Sequence, residues 1–304
     1  MSSSTLSLTI RTIDNRVLLP VGEKLSQETL EAIISSNKES NYQNLRLMQF
    51  DTVSDDLKEY LNTPPYDTIF CVEELTYNLL NDLETVHLPE PVLQSLNHFK
   101  EHDEYSYRHF LVVFALSTLL AKDLLPDYNE RIDLAGTGPV HDIGKFCVPL
   151  EVLQKTTPLT KSERVMLEDH TSAGYVLLSY YLQNIDTLAT TVARDHHERR
   201  DGSGYPRGIR LQDQMIEIIV VCDIYDALSS PRPYRKTCYD NRSALEVLSS
   251  MAESDTLSWD VVKALVSHNR GNKPHFTETS ISSEKRGTAP EENYYGVIVD
   301  DIDD

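Results

Sequence analysis

The chain has 304 residues, enough for one large or two moderate domains, and sets 28 Lys+Arg against 48 Asp+Glu for a formal net charge of −20. So acidic a protein is unsuited to binding polymeric nucleic acid, which relies on Lys and Arg to displace counterions from phosphates, and no apolar run approaches the roughly 20 residues that span a bilayer. The four cysteines, Cys71, Cys147, Cys222 and Cys238, lack CxxC spacing, which argues against a zinc cluster or disulfide framework and fits thiols in a reducing cytosol.

The amino terminus, MSSSTLSLTIRTIDN, has no basic stretch followed by an apolar core. It is therefore not expected to be a secretory signal, and a cytoplasmic location is expected. Leu6 to Ile13 alternates as a strand, and Val17 to Leu19 before Pro20 and Gly22 predicts a second strand and a turn. Ser26 is placed to cap the helix that follows, with Glu28 in its first turn. Helices are predicted over Asp55 to Leu61 and Val72 to Val86, the latter carrying Leu75, Leu79, Leu80 and Leu83 on one face. Residues 1–88 thus form a small α+β module without a cluster of chemical groups. A regulatory or partner-binding role is expected for it, with a protein partner or a second copy of the chain. Pro89-Glu90-Pro91 marks its end, because two prolines so close cannot sit inside a helix.

From Val92 to about Arg270 the pattern is helical almost throughout, so the chain is predicted to be mainly α. Ser106 to Lys122 contains FLVVFALSTLLA, a helix buried on most of its surface. Thr160 and Glu163 have capping-box spacing, and along the helix they start, Met166, His170, Ala173, Gly174 and Leu177 share a core-facing stripe. Leu188, Val192 and His196 are spaced by four, with Ala189, Ala193 and His197 beside them, so both histidines end a buried face. Asp223 lies in the apolar run MIEIIVVCDIYDAL, where a carboxylate is costly unless a cation or metal joins it. Residues 271–304 lose periodicity. From Gly287 onward there are six acidic residues and no basic one, and a disordered acidic tail is expected.

Taken singly, a histidine on an apolar helix face is an ordinary hydrogen-bonded core residue, and His87, His98, His102, His268 and His275 are read that way. A different reading holds for His109, His141, Asp142, His170, His196, His197 and Asp223, because core histidines do not usually arrive as HD and HH pairs on successive helices. Imidazole and carboxylate suit borderline divalent ions. Seven such groups exceed the needs of one ion and point to two metals sharing a carboxylate, an arrangement suited to phosphate-ester hydrolysis. Lys145 follows His141 by four and Asp142 by three, on the same helical face, where it would be unfavourable without an anion such as phosphate. Asp201 to Pro206, DGSGYP, starts four residues after His197 and must border the site. Its glycines would let backbone approach a ligand, and Tyr205 could stack on a base or bond a phosphate. Arg232, Arg235 and Lys236, in SSPRPYRK, would form a phosphate clamp downstream of Asp223.

HDIGK, TKSERVMLEDH, HHERRDGSGYP and DIYDALSSPRPYR, in that order, resemble the signature of HD-GYP domains within the HD phosphohydrolase superfamily. The likeness runs from about Tyr105 to Arg235 and, with later helices, over perhaps 180 residues. It implies an HD-type helical bundle over 92–270, a centre of two divalent metals (iron or manganese), and hydrolysis of cyclic di-GMP to pGpG or GMP in bacterial second-messenger signalling. Carried onto this chain, one metal would take His109, His141, Asp142 and Asp223. The other would take Asp142 as a bridge with His170, His196 and His197. Asp142 and Lys145 would act in catalysis, and Lys145, Tyr205, Arg232 and Arg235 would hold substrate. Some members add a third metal through a glutamate four residues before the first histidine; Tyr105 stands there, so two are expected. Gly136, Gly138 and Pro139 are expected to delay or kink the helix bearing His141. Two other readings stay open: a cyclic-dinucleotide receptor that does not turn over, and an HD-superfamily nucleotidase. Cyclic GMP-AMP remains open as a substrate.

Overall fold

Helices dominate, as the spacing of the apolar residues predicts. The structure, a computed structural model, describes residues 5–38, 40–232, 235, 237–291, 293 and 297–301. In the amino-terminal part, β1 (Ile10–Arg11) and β2 (Val17–Leu19) pair antiparallel, as do β3 (Asn44–Arg46) and β4 (His87–Pro89). Between and beside them run α1 (Gln27–Ser35), α2 (Val53–Leu61), α3 (Tyr66–Ile69) and α4 (Glu73–Leu83). Ser26 caps α1 by accepting from Thr29 N at 3.1 Å. The predicted strand over Leu6 to Ile13 is shorter than its alternation suggests, ladder pairing being confined to Ile10–Arg11.

The bundle follows with α5 (Glu90–His102), α6 (Glu104–Leu124), α7 (Tyr128–Ala135), α8 (Leu150–Leu153), α9 (Lys161–Glu168), α10 (His170–Leu182), α11 (Leu188–Asp195), α12 (Gln214–Ser229), α13 (Asn241–Glu253) and α14 (Trp259–His268). Pro89 precedes α5 and Pro91 sits in its first turn, where the missing N–H costs nothing. The apolar helix α6 is buried along nearly all its length and packs against α2, α5, α7, α12 and α14. Among the described residues no helix is long and apolar enough to cross a membrane.

Two local expectations are redrawn by tertiary contacts. The helix started by the Thr160–Glu163 capping box breaks at Asp169 instead of running through His170. Asp169 Oδ2 there accepts from Ser7 N (2.7 Å) and Oγ (2.6 Å), a partner 162 positions away. His141 and Asp142 lie on no α-helix: they sit between two 3₁₀ turns, Gly138–Val140 and Ile143–Cys147. Pro139 lacks an N–H, and Gly138 packs so tightly that a Cβ would fall 2.6 Å from Phe114 Cα.

Residues 1–88 share one continuous apolar cluster with the bundle, Leu30, Leu57 and Leu79 joining Leu111, Val176 and Val221. Polar contacts add to this: Asn37 Nδ2 donates to Tyr180 O (2.8 Å), and Tyr107 OH to Asp56 Oδ2 (2.7 Å). Near the carboxyl end, Phe276–Glu278 forms a 3₁₀ turn, and β6 (Ile298–Val299) pairs parallel with β5 (Leu159–Thr160). Asp301 Oδ1 accepts from Ser162 N at 3.2 Å, and Asp300 pairs with Lys161 at 2.7 Å. Much of the acidic stretch, including residues 292, 294–296 and 302–304, lies outside the described residues.

Candidate metal centre

His109 projects from the buried face of α6, His141 and Asp142 from the junction of the two 3₁₀ turns, His170 from the first turn of α10, His196 and His197 from just beyond α11, and Asp223 from α12. Six of these seven are buried, and His197 is partly so. They converge as two groups of four: His109, His141, Asp142 and Asp223, and Asp142, His170, His196 and His197. In each group one potential ligand atom per residue lies within 4.8 Å of all the others, and Asp142 belongs to both.

The orientation of the rings suits ligation. His141 Nδ1 donates to Gly138 O at 2.7 Å, His196 Nδ1 to Val192 O at 3.0 Å, and His170 Nδ1 to Leu167 O. His109 Nδ1 donates to Asp226 Oδ2 at 2.6 Å. With the Nδ1 protons committed outward, the Nε2 lone pairs point inward, the way an acceptor behind the ring turns a histidine toward a metal. The Nε2 atoms of His109 and His141 then lie 3.2 Å apart, and those of His170 and His196 3.3 Å. Lone pairs so crowded, around an Asp142 Oδ1 that has no hydrogen-bond donor among the described residues, are a donor set that a divalent cation fits.

Electrostatics agree. Burial works against the charged form of Asp142, yet Lys145 and the surrounding imidazoles hold its pKa well below the ordinary carboxylate range. Asp223 is likewise low despite burial, because of His109 and its neighbours. Burial pushes His141 down to about 3 and His197 well below its usual value. His170 is lowered too, burial outweighing Asp142. His109 differs: burial and Arg232 oppose its protonation, but Asp223 and Asp226 outweigh them. Most of the imidazoles are thus kept neutral beside ionised carboxylates, the protonation state in which metal ligands act.

The centre opens into a cavity of about 480 Å³ bordered by Lys145, Lys155, Arg164, Arg199, Arg232 and Arg235, a concentration of cations in an acidic chain. Lys145 Nζ contacts Asp142 Oδ2. Tyr205 stacks on His197, centroids 4.6 Å apart and planes 19° apart, with the Arg164 guanidinium 6.0 Å from its ring centre. Arg232 Nη2 lies 3.2 Å from Asp226 Oδ2, and Arg235 Nη2 donates to Leu228 O (3.0 Å) and Ser230 O (3.1 Å). Both arginines thus reach the cavity while tying down the loop after α12; Lys236 lies outside the described residues. Val297 and Ile298 contribute an apolar edge. Tyr105, also at the cavity, is exposed. His87, His98, His102, His268 and His275 are absent from both ligand groups; His268 instead pairs with Asp123 at 2.8 Å.

Sequence reasoning missed three supporting groups. Asp226, three residues beyond Asp223 and hence on the same side of α12, could have been found from its spacing. Tyr66, which hydrogen-bonds Asp226 at 2.6 Å, has no local signal at all. Glu198, fully buried within HHERR, accepts from Arg207 N (2.6 Å) and Ile209 N (3.0 Å) and so shapes the loop bearing Tyr205. Glu198→Ala should leave those two N–H groups without an acceptor and destabilise the protein by about 2 kcal/mol. Urea unfolding with the metal chelated measures this, and a midpoint matching wild type would contradict it.

The sequence model of the HD domain family matches residues 75–257, more than half of the chain. The chain belongs to the HD domain family. The match begins inside the segment read above as a separate module. Among curated relatives, a cyclic di-GMP phosphodiesterase of Pseudomonas aeruginosa is 38% identical over 182 residues, 58% of this chain and 42% of the relative. A cyclic di-GMP phosphodiesterase of Thermotoga maritima is 37% identical over 147 residues, 47% of this chain and 40% of the relative. The 3′3′-cGAMP-specific phosphodiesterase 1 of Vibrio cholerae is 38% identical over 135 residues, 43% of this chain and 31% of the relative. This HD domain chain therefore spans less than half the length of these relatives.

Proposed function

We propose that this HD domain protein is a metal-dependent phosphodiesterase hydrolysing cyclic di-GMP to pGpG, GMP or both, in bacterial second-messenger signalling. The observation that carries the reading is the pair of ligand groups sharing Asp142 at the floor of a cation-bordered cavity. The relatives named as cyclic di-GMP phosphodiesterases supply the substrate class. Two ions, iron or manganese, suit the mixed imidazole and carboxylate set. When bound, they would supply Lewis acidity and an activated water near neutral pH.

The chain's own groups would do the rest. Asp142 would hold both ions at a fixed separation. Lys145, already beside Asp142, would neutralise charge building on the non-bridging phosphate oxygens. Arg232 and Arg235 would face the anionic backbone of the dinucleotide, and Tyr205 would meet a base or phosphate at the edge of the cavity. Residues 92–270 would carry catalysis, 1–88 a regulatory or partner-binding role toward a protein partner or a second copy of the chain, and 271–304 an acidic tail. A cytoplasmic location suits a soluble dinucleotide substrate, and neither a membrane nor polymeric nucleic acid is proposed as a partner.

A second reading, cyclic GMP-AMP as substrate, is favoured by the likeness to the Vibrio cholerae enzyme. The deciding experiment uses full-length protein reconstituted without oxygen with Fe(II) or Mn(II), and follows product formation from cyclic di-GMP, cyclic GMP-AMP and a mononucleotide panel. Linear product or GMP from cyclic di-GMP, abolished by chelator, is the expected result. Tight binding of metal-loaded protein without product would replace the enzyme with a receptor, and turnover confined to mononucleotides would make it a nucleotidase.

A further inference from the structure

Asp226 is fully buried on α12 and does not belong to either ligand group. Both its oxygens are surrounded by donors. Oδ2 accepts from His109 Nδ1 at 2.6 Å and Arg232 Nη2 at 3.2 Å. Oδ1 accepts from Tyr66 OH at 2.6 Å, Ser230 Oγ at 2.8 Å and Arg108 Nη1 at 3.3 Å. A carboxylate offers about four lone-pair positions, so five donors saturate it and hold it in one rotamer. Held there, it orients His109: Nδ1, which also lies 3.1 Å from Arg232 Nη2, is directed at Asp226, and Nε2 faces Asp223 and Asp142, 3.2 and 3.6 Å away.

One of the groups that lock this arrangement comes from the segment before the bundle, and a second, Arg108 of α6, is flanked by two rings of that segment. Tyr66, on α3, is itself fully buried. The Arg108 guanidinium, next in sequence to His109, lies 5.6 Å from the Tyr60 ring centre and 5.3 Å from that of Tyr66. A hydroxyl buried on a distant helix and aimed at a saturated carboxylate is more than apolar filling, since phenylalanine would pack as well without needing a partner.

We propose that Tyr66 and Asp226 are positioning residues for the metal centre, acting through His109, so that the amino-terminal segment completes the outer shell of one of the two ion sites. The inference rests on the metal reading proposed above. It predicts an asymmetry: the site built on His109, His141 and Asp223 depends on Tyr66, whereas the site built on His170, His196 and His197 does not.

The test is titration of metal-stripped, full-length protein with Mn(II) by calorimetry, on wild type, Tyr66→Phe and Asp226→Asn, with thermal unfolding in chelator run in parallel. Asp226→Asn should weaken one of the two ions about tenfold or more and Tyr66→Phe a few-fold, the scale found when an outer-shell partner is removed. The second ion should bind as in wild type. A role in folding alone would lower the chelated melting temperature and leave the ratio of the two affinities unchanged, which would overturn the inference. Should Asp226→Asn fail to fold, Tyr66→Phe, which loses one hydroxyl, decides alone. Wild-type protein that takes up no manganese would sink the metal reading itself, whereas two ions bound with wild-type affinity in both variants would sink only the role of Tyr66 and Asp226.

Discussion

Asp142→Ala should empty both metal positions and lower kcat/KM for cyclic di-GMP by at least about a thousandfold. The reason is the sharing. Its Oδ1 lies 2.9 Å from His170 Nε2 and 3.4 Å from His196 Nε2, while its Oδ2 lies 3.5 Å from His141 Nε2 and 3.6 Å from His109 Nε2. No other side chain belongs to both groups. Alanine there leaves Asp223 as the one carboxylate of the first group and strips the second, His170, His196 and His197, of its anion. It also deprives Lys145 of its carboxylate partner and places an uncompensated ammonium where the ions would sit. Metal-ion stabilisation of a phosphoryl transition state is worth several kcal/mol, and about 4 kcal/mol corresponds to roughly a thousandfold in rate. His197→Ala should do less, because it touches one group only. Metal content per chain and steady-state kinetics on the same preparations provide the check. Two ions retained with a rate within about tenfold of wild type would show that Asp142 is not the bridge.

Why the ligand set was readable and its support was not follows from the range of the interactions. Only a few side-chain types bind such metals, and the HD and HH pairs put those types at intervals that repeated helices bring to one place. The local pattern was enough to single out the seven side chains that converge, because apolar neighbours such as Ile219 and Val192 say which face of each helix is buried. The backbone under the HD pair was less legible. Helical spacing places Lys145 beside Asp142, and the two do meet, but on the 3₁₀ turn Ile143–Cys147, which follows a separate turn where Gly138 packs against Phe114. Asp169, at the junction of α9 and α10, bonds Ser7, and Ile298 pairs with Leu159, 139 positions earlier. Tyr66 is the extreme case: its ring answers to the apolar pattern of its own segment, while its hydroxyl answers to Asp226, 160 positions away. A reading that works from neighbours along the chain has no access to such pairs. The residues it missed are therefore those that hydrogen-bond members of the two groups or shape the nearby loop, while those it found are the members of the groups themselves.

Gly144→Ala should be among the most damaging single-methyl changes in the protein, both to stability and to activity. Gly144 lies in the 3₁₀ turn Ile143–Cys147, against the start of α10. A Cβ built there would fall 1.9 Å from His170 O, 2.4 Å from Gly174 N and 2.9 Å from His170 C. All three are backbone atoms, so no side chain can turn aside. A Cβ on Gly174 would in turn lie 3.3 Å from Gly144 N and from Ala193 Cβ, so the facing glycines together set how closely turn and helix approach. Restoring ordinary contact needs the turn to withdraw by more than an ångström. Overpacking of this kind costs typically up to about 3 kcal/mol, which in a chain of this size lowers Tm by roughly 5 °C. The loss of activity should exceed what unfolding explains. Asp142 and Lys145 ride on one side of the contact and His170 on the other, so the same displacement pulls apart ligands that must share an ion. A misplacement of about 1 Å in a catalytic arrangement can cost about a hundredfold. Gly271, with nothing within 4 Å of its would-be Cβ, provides the control: Gly271→Ala should leave Tm and turnover near wild type. Melting curves in chelator separate the packing cost from the loss of metal, and kinetics below both melting temperatures isolate the geometric cost. Equal behaviour of the two alanine variants would mean that turn and helix do not meet as the structure has them. The close approach that brings Asp142 to His170 would then have to be abandoned along with it.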